Sequence, residues 1–195
     1  MRLIILDLNG FLVHRVHKRD AKNLDRTLLD TAESASPFFI WCRPHAAEFL
    51  QFLFLNFTVA IWTSARDHNA ETMLNALLKD TGLEKDDFLF VWGQDKCECE
   101  RATKSNHQKK KYLFKKPLAR VWEAFPEFDE RNTLLIDDSV EKTVDNPPGL
   151  HYCPLTWSVL EHPLDQELAV KDGKLTTWLR ALHQFQGPVA EFVLK

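Results

Sequence analysis

The sequence predicts an α/β fold built on a mostly parallel sheet, and three observations carry that expectation. Short apolar runs, Leu3-Ile4-Ile5-Leu6, Phe57-Thr58-Val59-Ala60-Ile61-Trp62 and Thr133-Leu134-Leu135-Ile136, read as strands buried on both faces. Stretches of helical spacing lie between them, which is the rhythm of parallel strands joined by right-handed crossovers. Each run also ends in polar residues, Asp7, Thr63-Ser64 and Asp137-Asp138, and open α/β sheets place their ligands at such strand ends.

The first strand stops at Asp7, and Asn9-Gly10 is a strong turn signal. The alternation Val13-His14-Arg15-Val16-His17 then predicts a hairpin strand, antiparallel to Phe38-Phe39-Ile40-Trp41, with a helix between them from about Asp25 to Glu33. Pro44 suits the first turn of a helix over His45 to Leu55, whose apolar positions are Phe49, Leu50, Phe52 and Leu53. A further helix is expected from about Asp67 to Lys79, ended by Gly82, and a third buried strand over Asp87 to Trp92. Residues 93–112 read as a charged loop. A short helix over Pro117 to Ala124 is amphipathic through Leu118, Val121 and Trp122. The turn Asn146-Pro147-Pro148-Gly149 leads to a short strand at His151-Tyr152. The last helix, about Lys174 to Phe185, carries Leu175, Trp178, Leu179 and Leu182.

A length of 195 residues suits one well-buried core, so one domain over 1–195 is expected. The net charge of −3 argues against wholesale nucleic-acid binding. The basic cluster Lys104, Lys109, Lys110 and Lys111 is read first as a solvated loop and, as the alternative, as a contact for an acidic or phosphorylated partner. Cys42, Cys97, Cys99 and Cys153 show no disulfide or zinc spacing and are read as free thiols, which suits a reducing compartment. No apolar run approaches the roughly 20 residues that span a bilayer. With Met1 as the natural start, a strand beginning at Leu3 leaves no room for a leader, so an intracellular protein, cytoplasmic or nuclear, is expected.

In a parallel sheet the three polar strand ends share one edge and converge. Clustered carboxylates want a shared proton or a hard cation, and a set of oxygen ligands favours magnesium. Magnesium commonly works together with a substrate phosphate, whose remaining oxygens a Thr63 hydroxyl and a nearby lysine would hold. Such a set suits phosphoryl transfer to a carboxylate nucleophile.

Asp7-Leu8-Asn9-Gly10, Trp62-Thr63-Ser64, Phe114-Lys115-Lys116-Pro117-Leu118 and Leu135-Ile136-Asp137-Asp138-Ser139 resemble, in order, the four motifs of the haloacid dehalogenase (HAD) superfamily. Arg43-Pro44 before a Glu-Phe-Leu helix and Ile136-Asp137-Asp138-Ser139 resemble its NLI-interacting-factor-like branch, which includes phosphatases of the RNA polymerase II carboxy-terminal domain. The resemblance runs from residue 3 to about 185. It implies a Rossmannoid three-layer fold with a small hairpin insertion after the first motif. By position, Asp7 would be the nucleophile that becomes phospho-aspartate, and Thr63, with Ser64 beside it, would bind phosphate. Lys116, in preference to Lys115, would neutralise nucleophile and phosphate. Asp138 would ligate Mg2+ directly, the Asn9 carbonyl would complete the metal site, and Asp137 would act through water or position a neighbour. Two alternatives stay beside these roles: Thr63 as a cap for the following helix, and Asp137 as a hydrogen bonder behind the metal.

The sequence departs from the family at two places, with Asn9 where the pattern has Asp and Phe11 where it has Thr. The missing Asp is the general acid for the leaving group and the base for hydrolysis, and general acid–base catalysis contributes about 10²–10⁴-fold. The expected function is therefore a magnesium-dependent phosphatase of phosphoserine or phosphothreonine in a protein, with reduced turnover. The alternative is a pseudophosphatase that binds phosphorylated segments or scaffolds a complex, and a third reading is a phosphatase of small molecules. A modest hairpin leaves the cleft open and favours a macromolecular substrate. The Phe11 ring is expected to join the core.

Overall fold

The computed structural model describes residues 1–101 and 112–195, and the predicted loop contact at Lys104, Lys109, Lys110 and Lys111 lies outside the described residues. In chain order the elements are β1 (Leu3–Leu6), β2 (Val13–His17), α1 (Arg26–Asp30), β3 (Glu33–Ala35), β4 (Phe38–Cys42) and α2 (Ala46–Asn56). They continue with β5 (Thr58–Trp62), α3 (Asp67–Leu78), β6 (Val91–Trp92), β7 (Glu98–Arg101), β8 (Tyr112–Lys115) and α4 (Ala119–Ala124). The last are β9 (Thr133–Ile136), β10 (His151–Tyr152), α5 (Lys174–Gln184) and α6 (Val189–Val193).

The fold is a Rossmannoid α/β arrangement. A five-stranded sheet in the order β10-β9-β1-β5-β6 is parallel throughout. The chain builds outward from β1 through β5 to β6 and then crosses to β9 and β10 on the other side. The point where that direction reverses, between β1 and β9, is where such sheets open a ligand crevice. All four residues of β1 and all four of β9 are buried, as the apolar runs require. Covering helices contribute Phe49, Leu50, Phe52 and Leu53 from α2, Ala70, Met73, Leu74 and Leu77 from α3, and Leu175, Leu179 and Leu182 from α5. Phe11 is fully buried and meets Phe49 edge to face, 6.4 Å between ring centroids, so its ring belongs to this core.

The insertion after the first motif is a separate antiparallel sheet in the order β2-β4-β3, with Val13 opposite Cys42 and His17 opposite Phe38. It has its own small cluster of Trp41, Trp157 and Val159, against which Val16, Leu28, Leu29 and Phe39 pack.

Several expected boundaries move. The helix near Asp25 stops at Asp30, and Glu33–Ala35 pairs with β4 because the sheet offers backbone partners there. Pro44 stands before the helix rather than in its first turn: His45, at φ 64°, turns the chain into α2 at Ala46. The third strand shrinks to Val91–Trp92. Residues Lys85–Asp87 form one turn of 3₁₀ helix, closed by the Asp87 carboxylate accepting from the Glu84 amide at 2.7 Å. Within the stretch read as a loop, Glu98–Arg101 pairs antiparallel with Tyr112–Lys115. Helix α6 has no counterpart in the sequence reading. The four cysteines are free. Among the described residues, no helix is long and apolar enough to cross a membrane.

Candidate active site

Strand register decides what meets at the sheet edge. Leu6 pairs with Ile136, so Asp7 and Asp137 leave adjacent strands at the same level, and the Asp7 amide donates to the Ile136 carbonyl at 2.9 Å. Parallel neighbours at one level point to one side of the sheet. Asp138 joins them: oxygens of Asp7, Asp137 and Asp138 all lie within 4.8 Å of one another.

Two ammonium groups enter this carboxylate cluster. Lys116 Nζ donates to Asp7 Oδ1 at 3.0 Å and to Asp137 Oδ2. Its side chain is fully buried. Lys115, one residue earlier, turns the other way and pairs with Glu100 at 2.9 Å and with Asp145. Successive side chains of an extended segment point to opposite faces, so only one of the two can reach the edge. The second ammonium is Lys142, on the one-turn 3₁₀ segment Val140–Lys142 that follows β9. Lys142 Nζ donates to Asp7 Oδ2 at 3.0 Å and to Asp137 Oδ1 at 3.1 Å, and lies 3.9 Å from Asp138 Oδ1. Lys142 belongs to none of the four motifs and was not among the residues expected at the site. The signal available was its place four residues after Asp138, one helical turn away, where opposite charges meet.

Charge and burial oppose each other here. Burial pushes the Asp7 carboxyl up, but Lys116 and Lys142 outweigh it and hold Asp7 below the usual carboxylate range. For Asp137 the balance reverses: burial and then the charge of Asp7 push it up against the two lysines. Burial alone would lower the Lys142 ammonium, yet Asp7 and Asp137 raise it above its ordinary value. A carboxyl held below its usual range is ionised at neutral pH, so Asp7 is in the state a nucleophile needs.

Gly10 lets the first motif close over the cluster. It adopts φ +88°, and a Cβ there would fall 2.4 Å from Asp138 Oδ2. The Gly10 carbonyl accepts from the Trp157 amide at 2.7 Å, and Thr156 Oγ1 donates to Asp138 Oδ2 at 2.7 Å. Segment 156–157 therefore clamps motifs one and four together, a contact with no local signal in the sequence. Arg43 works nearby: buried, it grips Asp165 through Nε (2.8 Å) and Nη2 (3.1 Å), and its Nη1 donates to the Phe11 carbonyl at 3.3 Å. The Arg43-Pro44 signature thus braces the loop that carries Asp7 and does not enter the carboxylate cluster.

Asn9 is half-buried, and its side-chain Oδ1, wholly buried, has no hydrogen-bond partner among the described residues. Thr63 directly follows β5 and is buried; its Oγ1 accepts from the Ala65 amide at 3.2 Å. That bond shapes the local turn and leaves the hydroxyl proton free to donate. Ser64 is half-buried beside it, and its carbonyl accepts from Gln94 Nε2 at 3.0 Å. Neither makes a hydrogen bond to Asp7.

A hard divalent cation fits this donor set. Three carboxylates converge, the glycine turn brings main chain against Asp138, and two lysines leave one negative charge in excess. Asp7 and Asp138 would hold the ion.

The model of the NLI interacting factor-like phosphatase family matches residues 2–187. An uncharacterized FCP1 homology domain-containing protein of Schizosaccharomyces pombe is 27% identical over 154 residues, covering 75% of this chain and 57% of that relative. A CTD phosphatase-like protein of Invertebrate iridescent virus 6 is 31% identical over 150 residues, covering 72% of this chain and 78% of that relative. The structure of Fcp1, an essential RNA polymerase II CTD phosphatase, superposes with a TM-score of 0.54 at 18% identity, a likeness of fold. That match covers 94% of this chain and 49% of Fcp1, so the chain spans about half the length of that protein.

Proposed function

The chain belongs to the NLI interacting factor-like phosphatase family, and from that premise we propose that it is a magnesium-dependent phosphatase of phosphoserine or phosphothreonine in a protein segment, slowed by Asn9. The observation that carries this reading is Asp7 itself, ionised, buried and gripped at 3.0 Å by Lys116 with Asp137 and Asp138 beside it.

Asp7 is the nucleophile that takes the phosphoryl group. Lys116 holds Asp7 Oδ1 and offsets the charge that builds on the transferring group. Thr63 donates its free hydroxyl proton to a phosphate oxygen, with Ser64 at the rim. Asp138, Asp7 and the Asn9 carbonyl would hold Mg2+, and Asp137 orients Lys116. The ion, when bound, neutralises phosphate charge and aligns the group for in-line attack. A protein substrate agrees with the small insertion over the cleft and with the relatives named as CTD phosphatases.

An amide at position 9 cannot give the leaving group its proton or take one from the attacking water. This favours a second reading, a pseudophosphatase that retains phosphate binding without turnover. One experiment separates the two: hydrolysis of an aryl phosphate with Mg2+ by wild type, Asn9→Asp and Asp7→Asn. Slow turnover in wild type, a gain of about 10²-fold in Asn9→Asp and none in Asp7→Asn is the expected pattern. Turnover unaffected by Asp7→Asn would reject the phospho-aspartate route, and silence in wild type and Asn9→Asp alike would leave only the binding function.

A further inference from the structure

The two lysines of the cluster differ in their access to solvent. Lys116 is fully enclosed, whereas the Lys142 side chain retains 14% of its exposure. Lys142 therefore has a way out to solvent along its four-carbon stem, and Lys116 has none. Its main chain is fixed independently, because the Lys142 carbonyl accepts from the Lys116 amide at 2.8 Å. The ammonium can swing without loosening the segment that carries it.

What Lys142 holds is also what a metal needs. Lys116 takes Asp7 Oδ1, which leaves Asp7 Oδ2 as the oxygen available to an ion, and Lys142 Nζ sits 3.0 Å from it. The nearest Asp138 oxygen is 3.9 Å from the same Nζ. An ion bonded to Asp7 Oδ2 at roughly 2.0–2.1 Å would lie no more than about 5 Å from that ammonium. At a site so enclosed, water screens little of the repulsion between the two cations.

We propose that Lys142 is a displaceable internal cation: it shares Asp7 and Asp138 with the divalent ion, and the ion binds by driving its ammonium out of the cluster while Lys116 stays. This rests on the magnesium site proposed above and adds a control to it. The ammonium keeps Asp7 and Asp138 neutralised until the free divalent concentration is high enough to displace it, so Lys142 sets the metal affinity of the site. Its charge, rather than its shape, carries the effect.

The test is Mg2+ binding by isothermal titration calorimetry to wild type, Lys142→Gln and Lys142→Arg, together with amine labelling of wild type read by mass spectrometry. Lys142→Gln should bind Mg2+ at least about tenfold more tightly, since removing one like charge at contact range exceeds a decade in Kd. Lys142→Arg, which keeps the charge, should stay near wild type. A wild type that binds too weakly to measure beside a Lys142→Gln that binds would be the strong form of the same result. In wild type, saturating Mg2+ should raise labelling of Lys142 and leave Lys116 protected. That measurement decides the matter alone if Lys142→Gln fails to fold. Equal or weaker binding by Lys142→Gln, or Lys142 labelling that does not rise at saturation, overturns the displacement and leaves the metal site standing. No Mg2+ binding by any of the three proteins overturns the metal site itself, and this inference with it.

Discussion

The carboxyl edge of the parallel sheet and the β7–β8 ribbon beside it both hold lysine–carboxylate pairs, drawn from adjacent residues of one strand end. At the edge, Lys116 and Asp137 are wholly excluded from water. On the ribbon, Lys115 reaches Glu100 and Asp145, each 57% exposed. Two neighbouring residues with the same chemistry thus have different consequences. Breaking a pair at the edge strands a charge where nothing replaces the partner, while on the ribbon water takes the partner's place. Enclosure of charge, rather than the number of ion pairs, distinguishes the edge that carries the candidate site.

The sharpest way to break that comparison is Lys116→Ala. Removing it leaves Asp7 and Asp137 facing each other with only Lys142 between, and about 3–5 kcal/mol of stability should be lost, the range for an orphaned buried charge. Urea unfolding monitored by tryptophan fluorescence measures it. A midpoint equal to wild type would mean that water reaches the edge, and the contrast with the ribbon would collapse.

A second effect, smaller and dependent on pH, separates Lys142 from both. Its ammonium is raised in the folded state, so its stabilisation is complete below the unfolded value of about 10.4 and is lost as pH rises through the folded value. Asp7 has the opposite sign: its carboxyl is depressed, so its stabilisation is complete above about 3.9 and fades as pH falls through the folded value. With a chelator present, wild type should exceed Lys142→Gln by about 1–3 kcal/mol, the worth of hydrogen bonds to charged groups. The difference should hold between about pH 6 and 9 and shrink only above about 10.4. A gap that closes near neutrality would contradict the assigned shift.

The smallest change is expected of Lys115→Ala. Its partners face solvent, so unfolding midpoint and phosphate-analogue binding should both stay close to wild type. If this variant lost analogue binding and Lys116→Ala kept it, the two lysines would have to exchange roles.

Much of the frame was legible in the residues. The apolar runs of β1, β5 and β9 need only a local pattern, since a strand enclosed on both faces excludes polar side chains wherever it lies. Asp7, Thr63 and Asp137 could be placed at strand ends for the same reason. The short β3, the β7–β8 pairing and the α6 turn were not legible, because their few residues carry no period and are stabilised by partners elsewhere. Arg43 was noticed as a signature, but its partner Asp165 lies 122 residues away.

By itself, then, the sequence determined the strand order in time, the polar strand ends and the substitution of Asn9 for an acid. Only the tertiary structure decided which of those groups meet. Register sets Asp7 level with Asp137, alternation along the chain turns Lys116 inward and Lys115 outward, and the turn after β9 returns Lys142 to Asp7. A strand is selected by the solvent on either side of a few consecutive residues, which is local. The partner of a buried charge is selected by whatever the fold brings within about 3 Å, and for Asp7 those partners stand 109 and 135 residues along the chain.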